Sequence, residues 1–443
     1  MENVDTLILG GTILCLDDSM TTIEDGALAI SGDSIAAIGT ERDFRQRFSS
    51  SDIIDGNNFL IMPGLINSHT HAAMTCFRGI ADDMHLMDWL TNYIFPAEAR
   101  NVDPELAYWG SLLACAEMIK SGTTTFCDMY IFEEEAAQAA RKAGMRCLLG
   151  EVLFDFPSPN VKTPEEGLAY TRNLLKRWSG DPLIRIAVEP HALYTCSRPL
   201  LSEAAKLAEE YNAPLALHLL ENMSEREQLK EKLGQEAIPY LKGLGCLNER
   251  LIAFHCVTMN DEEIRIFSNH GCKAVYNPES NMKLASGFAP AARMLAEGIC
   301  VGLGTDGCAS NNSLDMFQEM DTAAKLEKVR HLDPTLMPAE TVVKMATCMG
   351  AQVLGMDGYT GCLKAGMKAD IIMIDLNRPH LTPMYNPYSH LAYAVSGSDV
   401  HTVFIHGKMV MKDRKLLTLD EEEVMQHVRR IAEKVKESLK ESV

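Results

Sequence analysis

The sequence predicts an α/β fold: a (β/α)8 barrel of the TIM type, with a small β-sandwich domain formed by both chain ends. Two patterns carry that expectation. From about residue 105, short apolar β-type runs alternate with longer amphipathic helical segments, the rhythm of βα units on a parallel sheet. The two chain ends instead give short β runs parted by turn residues. A doubly wound open sheet is the alternative, but no Gly-rich phosphate fingerprint follows the first strand. The expected division is residues 1–60 for the first part of the sandwich, 61–365 for the barrel, and 366–443 for the rest of the sandwich plus a terminal helix.

Eight runs fill the barrel strand positions. They are LIMPGLINSH (60–69), TTTFCDM (123–129), MRCLLGEVL (145–153), IRIAVEPHA (184–192), PLALHLL (214–220), LIAFHCV (251–257), KAVYNP (273–278) and CVGLGTD (300–306). The helical segments between them have readable limits: Asp103-Pro104 opens one that runs to Ser121-Gly122, and PEEGLAYTRNLLKRW (164–178) fills another gap. SEAAKLAEEYN (202–212), DEEIRIFSNHG (261–271) and PAARMLAEG (290–298) each end at Gly or Asn, which tolerate a left-handed C-cap. At the N-terminus, TLILGGTILCL, GALAISGDSIAAIG and SDIIDGNNFLIM read as strands, and ADIIMIDL (369–376) and HTVFIHGKMVMKD (401–413) resume that pattern. A hairpin-like segment cannot bury its second face alone, so both ends are expected to meet in one sandwich. The closing EEEVMQHVRRIAEKVKESLKES (421–442) reads as an amphipathic helix.

The composition belongs to a folded chain with a large core: 443 residues, 47% hydrophobic and 23% charged. Lys+Arg number 41 against 61 Asp+Glu, a net charge of −20, and the basic residues are interspersed with acids, as in EREQLKEKLGQE (225–236). Such a surface repels nucleic-acid backbones and anionic membranes, so neither is expected as a partner. The 13 cysteines are odd in number, form no C-x-x-C pair and often sit in apolar runs, which reads as reduced, buried thiols. With acids where a signal peptide needs basic residues, and no apolar run near the ~18 residues of a membrane span, a cytoplasmic location is expected.

In a barrel, chemistry is carried at the C-terminal ends of the strands. Here the first strand ends in His69 and His71, the fourth in Glu189-Pro190-His191, and the fifth in His218 with Glu221 three residues on. The sixth carries His255, the seventh Asn277 to Asn281, and the eighth Asp306. Residues i and i+2 share a strand face, so His69 and His71 can present two imidazoles to one point. Alone, that pair fits strand-end polarity as well as metal binding. With His218 and Asp306 at equivalent ends, three imidazoles and one carboxylate match the donor preference of zinc or iron, with room left for water.

Taken singly, His255 reads as a core histidine and Glu221 as a helix-start acid. Beside a metal they fit two tasks of hydrolysis: a second base or electrophile orienting the attacking water, and a proton donor close to the leaving group. Glu98 in FPAEAR can accept two hydroxyl hydrogens, as a vicinal diol offers, although a loop acid is as readily just solvated. His191 in EPHALY is a second candidate for substrate contact.

Taken together, these residues resemble the amidohydrolase superfamily, and within it the branch of methylthioadenosine/S-adenosylhomocysteine deaminases. The matching segments are PGLINSHTHAAMTCFRGIADDM (63–84), DWL and FPAEAR (88–100), HLLENMSE (218–225), AFHCV (253–257), NPESNMKLASGFAP (277–290), GLGTDGCASNNSLDMFQEM (302–320) and GMKADIIMIDL (366–376). The resemblance implies one zinc ion per subunit, or alternatively iron, held by His69, His71, His218 and Asp306. It implies Glu221 as the proton shuttle to the purine ring, His255 as the group positioning the attacking water, and Asp306 as the base that takes its proton. Glu98 is then expected on the ribose diol and His191 on another part of a purine nucleoside. The activity implied is hydrolytic deamination at adenine C6. The rivals are an aminohydrolase or chlorohydrolase of another heterocycle, such as guanine or a triazine, and a non-catalytic barrel, which is expected to have lost ligands. A homo-oligomer is compatible with all of these.

One departure from that resemblance is Glu151, in CLLGEVLFDFPSPN, where relatives that accept S-adenosylhomocysteine are expected to carry an arginine. A carboxylate facing the amino-acid carboxylate would repel it, so adenosine, methylthioadenosine or 5′-deoxyadenosine is the expected preference.

Overall fold

The computed structural model describes residues 1–440. The barrel strands, numbered in chain order, are β1 Leu65–Thr70, β2 Thr123–Tyr130, β3 Arg146–Leu153, β4 Ile184–Ile186, β5 Leu215–Leu219, β6 Leu251–His255, β7 Lys273–Tyr276 and β8 Val301–Leu303. All eight expected strands form, and nearly every residue in them is buried, as strands covered on both faces must be. Every pairing is parallel, in the orders β1-β2-β3-β4 and β5-β6-β7-β8, with helices between successive strands. That is a TIM-barrel-type α/β fold. Among the described residues the ring is not one continuous ladder: single bridges, Val188 to Leu215 and Ala192 to His218, link the two halves. On the far side the backbone N–H of Asp306 donates to the His69 carbonyl at 2.9 Å, so the residues following β8 lie beside β1.

The run expected as one strand over 60–69 is two strands, Phe59–Pro63 and Leu65–Thr70. The break falls at Gly64, where a Cβ would come within 2.1 Å of the Thr124 side chain. Only glycine lets the backbone pass β2 that closely. The first of the two strands pairs antiparallel with Ile371–Asp375 from the other end of the chain. Both ends thereby contribute to one seven-stranded sheet, while Thr6–Leu9, Gly26–Ser31, Ser34–Thr40 and Asp52–Asp55 make a separate four-stranded sheet. Ile8, Leu28 and Ile30 of the small sheet share one hydrophobic cluster with Ile13, Ile61, Ile371 and Phe404 of the large one.

Helix limits follow the sequence signals closely. Asp103 accepts from Leu106 N at 2.8 Å and opens Pro104–Lys120, and Gly122 lies beyond its end at φ +89°. Pro164–Arg177 and Asp261–Asn269 fall where expected, whereas the 202–212 segment starts a turn earlier, at Arg198, because Ser197 caps it. The terminal helix spans Glu421–Lys440, and Glu441 and Ser442 of the expected segment lie outside the described residues. Its His427 ring stacks on Trp109 at 3.6 Å, and Val428, Ile431 and Val435 turn into the core. No helix among the described residues is long and apolar enough to cross a membrane, and all 13 cysteines are unpaired.

Candidate active site

At the C-terminal ends of β5, β6 and β8 the chain leaves ordinary strand geometry. Leu220 has φ +53°, His255 +70°, Cys256 +54° and Asp306 +63°, conformations that side-chain-bearing residues seldom adopt. Such strain persists where surrounding structure over-determines it, and it marks functional turns. Here it aims His218, Glu221, His255 and Asp306 inward, where they line one cavity together with His71, Glu98 and His191. His69 stands immediately behind, fully buried, with its ring stacked on Phe254 at 3.8 Å. Every candidate metal-binding, catalytic and substrate-contact residue named from the sequence is therefore brought to one place.

The imidazoles converge. Ring centroids of His69 lie 4.9 Å from His71 and 5.0 Å from His218, and those of His71 and His218 are 5.4 Å apart. Asp306 Oδ1 is 3.1 Å from His71 Nε2 and 3.5 Å from His69 Nε2. His71 Nδ1 meets the Met129 carbonyl, and His218 Nδ1 meets the His191 carbonyl at 2.9 Å. A carbonyl only accepts, so both Nδ1 atoms carry hydrogen, and both Nε2 atoms face the centre, each offering a lone pair once its ring is neutral. Neither ring nitrogen of His69 has a hydrogen-bond partner, a state that a buried imidazole tolerates poorly unless it ligates.

Charge at this point tells the same story. Burial pushes His69 down to about 3, keeping it in the neutral form that binds metals. Burial also works against a charge on His71, but Asp306 and the Met129 carbonyl outweigh it and raise that ring to about 9. Burial opposes ionisation of Asp306 too, and the facing rings of His69 and His71 nonetheless hold its carboxyl well below the usual range. The centre thus stabilises positive charge and offers nitrogen and oxygen donors, which fits a divalent metal ion.

Around this centre, Asp306 is fixed by hydroxyls: Ser280 and Ser310 donate to Oδ2 at 2.7 and 2.8 Å, and Gly307 N donates to Oδ1 at 2.7 Å. His255 Nδ1 pairs with Asn281 Oδ1 at 2.9 Å, leaving Nε2 towards the cavity. Burial raises the Glu221 carboxyl above its usual range, as a group that gains and loses a proton requires. His191 Nδ1 meets the Thr195 hydroxyl at 2.8 Å. Glu98 sits on Phe95–Asn101, directly after a π-helical turn at Leu90–Ile94, and burial pushes its carboxyl up to about 7 although the Tyr130 hydroxyl donates to it.

Glu151 is not part of this cavity. Its side chain points to the outer layer, where Oε2 accepts from Glu133 N at 3.0 Å, at the start of helix Glu133–Ala143, and Oε1 accepts from Asn160 at 2.6 Å. It serves as a borrowed cap for a helix whose own cap residue, Phe132, has no side chain suited to the task. The neighbours Val152 and Phe154 face the cavity instead. The expected repulsion between Glu151 and a substrate carboxylate therefore has no structural basis: alternation along the strand sends it to the other face.

Several contributors escaped the sequence reading. Glu225, itself buried, accepts from Leu220 N at 3.2 Å and Glu221 N at 2.6 Å and so pins the left-handed turn that carries Glu221. Asp128 accepts from Ala72 N at 2.6 Å and clamps the backbone just after His71 to β2. The wall of the cavity is apolar or aromatic, with Trp89, Phe95, Tyr130, Phe154 and Leu284 among its residues and no lysine or arginine. The S-N-x-K stretch at 280–283 and the S-N-N-S stretch at 310–313 contained the relevant hydroxyls, but nothing in their spacing says which serine faces Asp306.

Comparison with known proteins agrees with this geometry. The model of the amidohydrolase family matches residues 60–410. A 5-methylthioadenosine/S-adenosylhomocysteine deaminase 1 of Syntrophus aciditrophicus (strain SB) is 82% identical over 443 residues, covering 100% of both chains. A 5′-deoxyadenosine deaminase of Methanosarcina mazei is 42% identical, covering 97% of this chain and 98% of the relative. Among solved structures, an adenosine deaminase from Xanthomonas campestris with bound zinc superposes with a TM-score of 0.97 at 36% identity, covering 98% of this chain and 99% of the other.

Proposed function

The chain belongs to the amidohydrolase family, and from that premise we propose that it deaminates adenosine-type nucleosides by hydrolysis, replacing the 6-amino group with oxygen and releasing ammonia. The observation that carries this reading is two overlapping sets of possible ligands that share His69, one with His71 and Asp306 and the other with His218 and His255, with Glu221 on the same cavity and Glu98 on its wall. Substrates are adenosine, 5′-deoxyadenosine, methylthioadenosine and S-adenosylhomocysteine, the last readmitted because Glu151 lies outside the cavity. The cavity is lined mostly by apolar and aromatic side chains with a few convergent polar groups, the make-up of a small-molecule site.

His69, His71, His218 and Asp306 would hold one zinc ion, which would supply the Lewis acidity that makes water a nucleophile at neutral pH. Asp306 and His255 orient the attacking water and take up its proton. Glu221, kept protonatable by burial, delivers a proton to the ring nitrogen beside C6 as the water oxygen adds to C6. Transfer of the second water proton to the amino group lets the C–N bond break, so water and the amine leave as the oxo product and ammonia. Glu98 accepts from the ribose hydroxyls, and His191 borders another part of the nucleoside.

We further assign residues 1–60 and 366–443, the latter together with the terminal helix, to a β-sandwich part beside a 61–365 barrel, a reading supported by the core that side chains of both sheets share. The reduced cysteines and acidic surface suit a cytoplasmic enzyme with a small-molecule partner. The test is direct: zinc-loaded protein given adenosine, methylthioadenosine or 5′-deoxyadenosine releases ammonia and shifts the ultraviolet spectrum. No reaction with any adenosine analogue, but turnover of guanine or a chlorotriazine, would overturn the nucleoside reading.

A further inference from the structure

Glu98 does not face the cavity unattended. Tyr130, the last residue of β2, is 4% exposed and donates its hydroxyl to Glu98 Oε1 at 2.7 Å. Its ring also lies 6.2 Å from the His71 ring, so one rigid side chain spans the interval between the metal-side cluster and the carboxylate. Both ends of that span are anchored, because the backbone of the preceding residue, Met129, holds His71 Nδ1. Glu98 itself comes from a different element, the helix Phe95–Asn101 that follows the π turn.

We infer that Tyr130 is a positioning and specificity-determining residue: its hydroxyl fixes the Glu98 carboxylate so that the free lone pairs meet a ribose diol at a set distance from the reacting base. The inference rests on the nucleoside reading above. A carboxylate has about four lone-pair sites on two oxygens, and the tyrosine hydroxyl occupies one. The remaining sites are enough for two sugar hydroxyls, but they point correctly only while the carboxylate plane is held. Without the tyrosine hydroxyl, Glu98 can rotate, and it loses a donor that favours its ionised, accepting form. A sugar lacking the diol gains nothing from this arrangement, so the effect is a matter of selectivity and not of general activity.

The experiment compares zinc-loaded wild type, Tyr130→Phe, Glu98→Gln and the double variant on adenosine and 2′,3′-dideoxyadenosine. Phenylalanine keeps the packed ring and removes the hydroxyl alone. A hydrogen bond to a charged group is worth about 1.5–3 kcal/mol, so the preference for adenosine over the dideoxy compound should fall about tenfold or more in Tyr130→Phe, chiefly through KM. In the Glu98→Gln background the same substitution should add little, because the group it orients is already altered. A preference unchanged in Tyr130→Phe, or KM rising equally for both substrates, would overturn the inference, since a mere wall residue does not distinguish them. Wild type inactive on both compounds would instead overturn the nucleoside reading itself.

Discussion

Two clusters of buried charge sit at opposite ends of this molecule's logic. Where the barrel meets the sheet shared by the chain ends, Arg146 of β3 faces Asp370, both almost fully buried. Arg146 Nε and Nη2 donate to the two carboxylate oxygens at 2.8 and 3.1 Å, and Nη1 donates to the Pro182 carbonyl at 2.8 Å. Asp370 also accepts from the Thr360 hydroxyl and from His406 N. This network is satisfied. At the barrel mouth, by contrast, both ring nitrogens of His69, the Asn277 amide, Ser68 and Ser286 are buried without partners, and the backbone is left-handed at His255 and Asp306. A satisfied network ties β3 to the segment leading into Ile371–Asp375; a strained one holds its side chains for binding and chemistry.

If that contrast holds, the two clusters should respond differently to loss of one member. The largest expected effect is from His218→Ala, which removes a donor from the centre: metal content falls to background and kcat/KM drops by about 10⁴-fold or more. Metal retained at the wild-type level would break the assignment of the centre. Next is Glu221→Gln, which preserves shape but carries no proton. Its kcat should fall by about 10³-fold with metal content unchanged, since general acid–base groups contribute about 10²–10⁴. At the other cluster, Arg146→Met strands a buried carboxylate and should lower unfolding free energy by about 3–5 kcal/mol. Denaturant titration measures that loss, and activity per folded molecule should stay close to wild type. A parallel fall in metal affinity would show that the two clusters are coupled and the contrast drawn above is false.

The same contrast explains what the sequence could disclose. Strand number, helix limits and the polar strand ends were legible because they follow from local rules: short continuous apolar runs, the Asp103-Pro104 helix start, glycine past helix ends. The candidate metal-binding set was legible because its members stand at the ends of three strands, His69 and His71 sharing the first, in a fold whose strand ends converge. The split at Gly64 was not, since it depends on the closeness of Thr124, which is 60 residues away in sequence. The role of Glu151 was misread for a related reason. Its position near the end of β3 was right, but which face it took depended on the parity of one strand, and a one-residue difference moves a side chain from cavity to helix layer. Glu225, Asp128 and Tyr130 are ordinary acids and an ordinary tyrosine in sequence, and only their partners reveal what they hold.

The smallest expected effect tests the cavity wall. Burial raises Glu98 to about 7, against 4.5 for a free carboxyl, so within the cavity it is protonated below neutrality and ionised above it. A protonated carboxyl offers fewer accepting sites to a diol. For adenosine, kcat/KM, which reports the free enzyme, should therefore decline as pH falls through about 7, beyond any decline seen with 2′,3′-dideoxyadenosine. The sign follows from the direction of the shift: a raised pKa places the loss near neutrality, whereas an unperturbed carboxyl would defer it to about pH 4. In Glu98→Gln the extra decline should vanish, because the amide does not titrate. Only a few-fold change is at stake, since a neutral acid still accepts through its carbonyl oxygen. Identical pH profiles for the two sugars in wild type would place Glu98 away from the diol, and would leave the unsatisfied centre without the ribose contact that separates a nucleoside site from one for free bases.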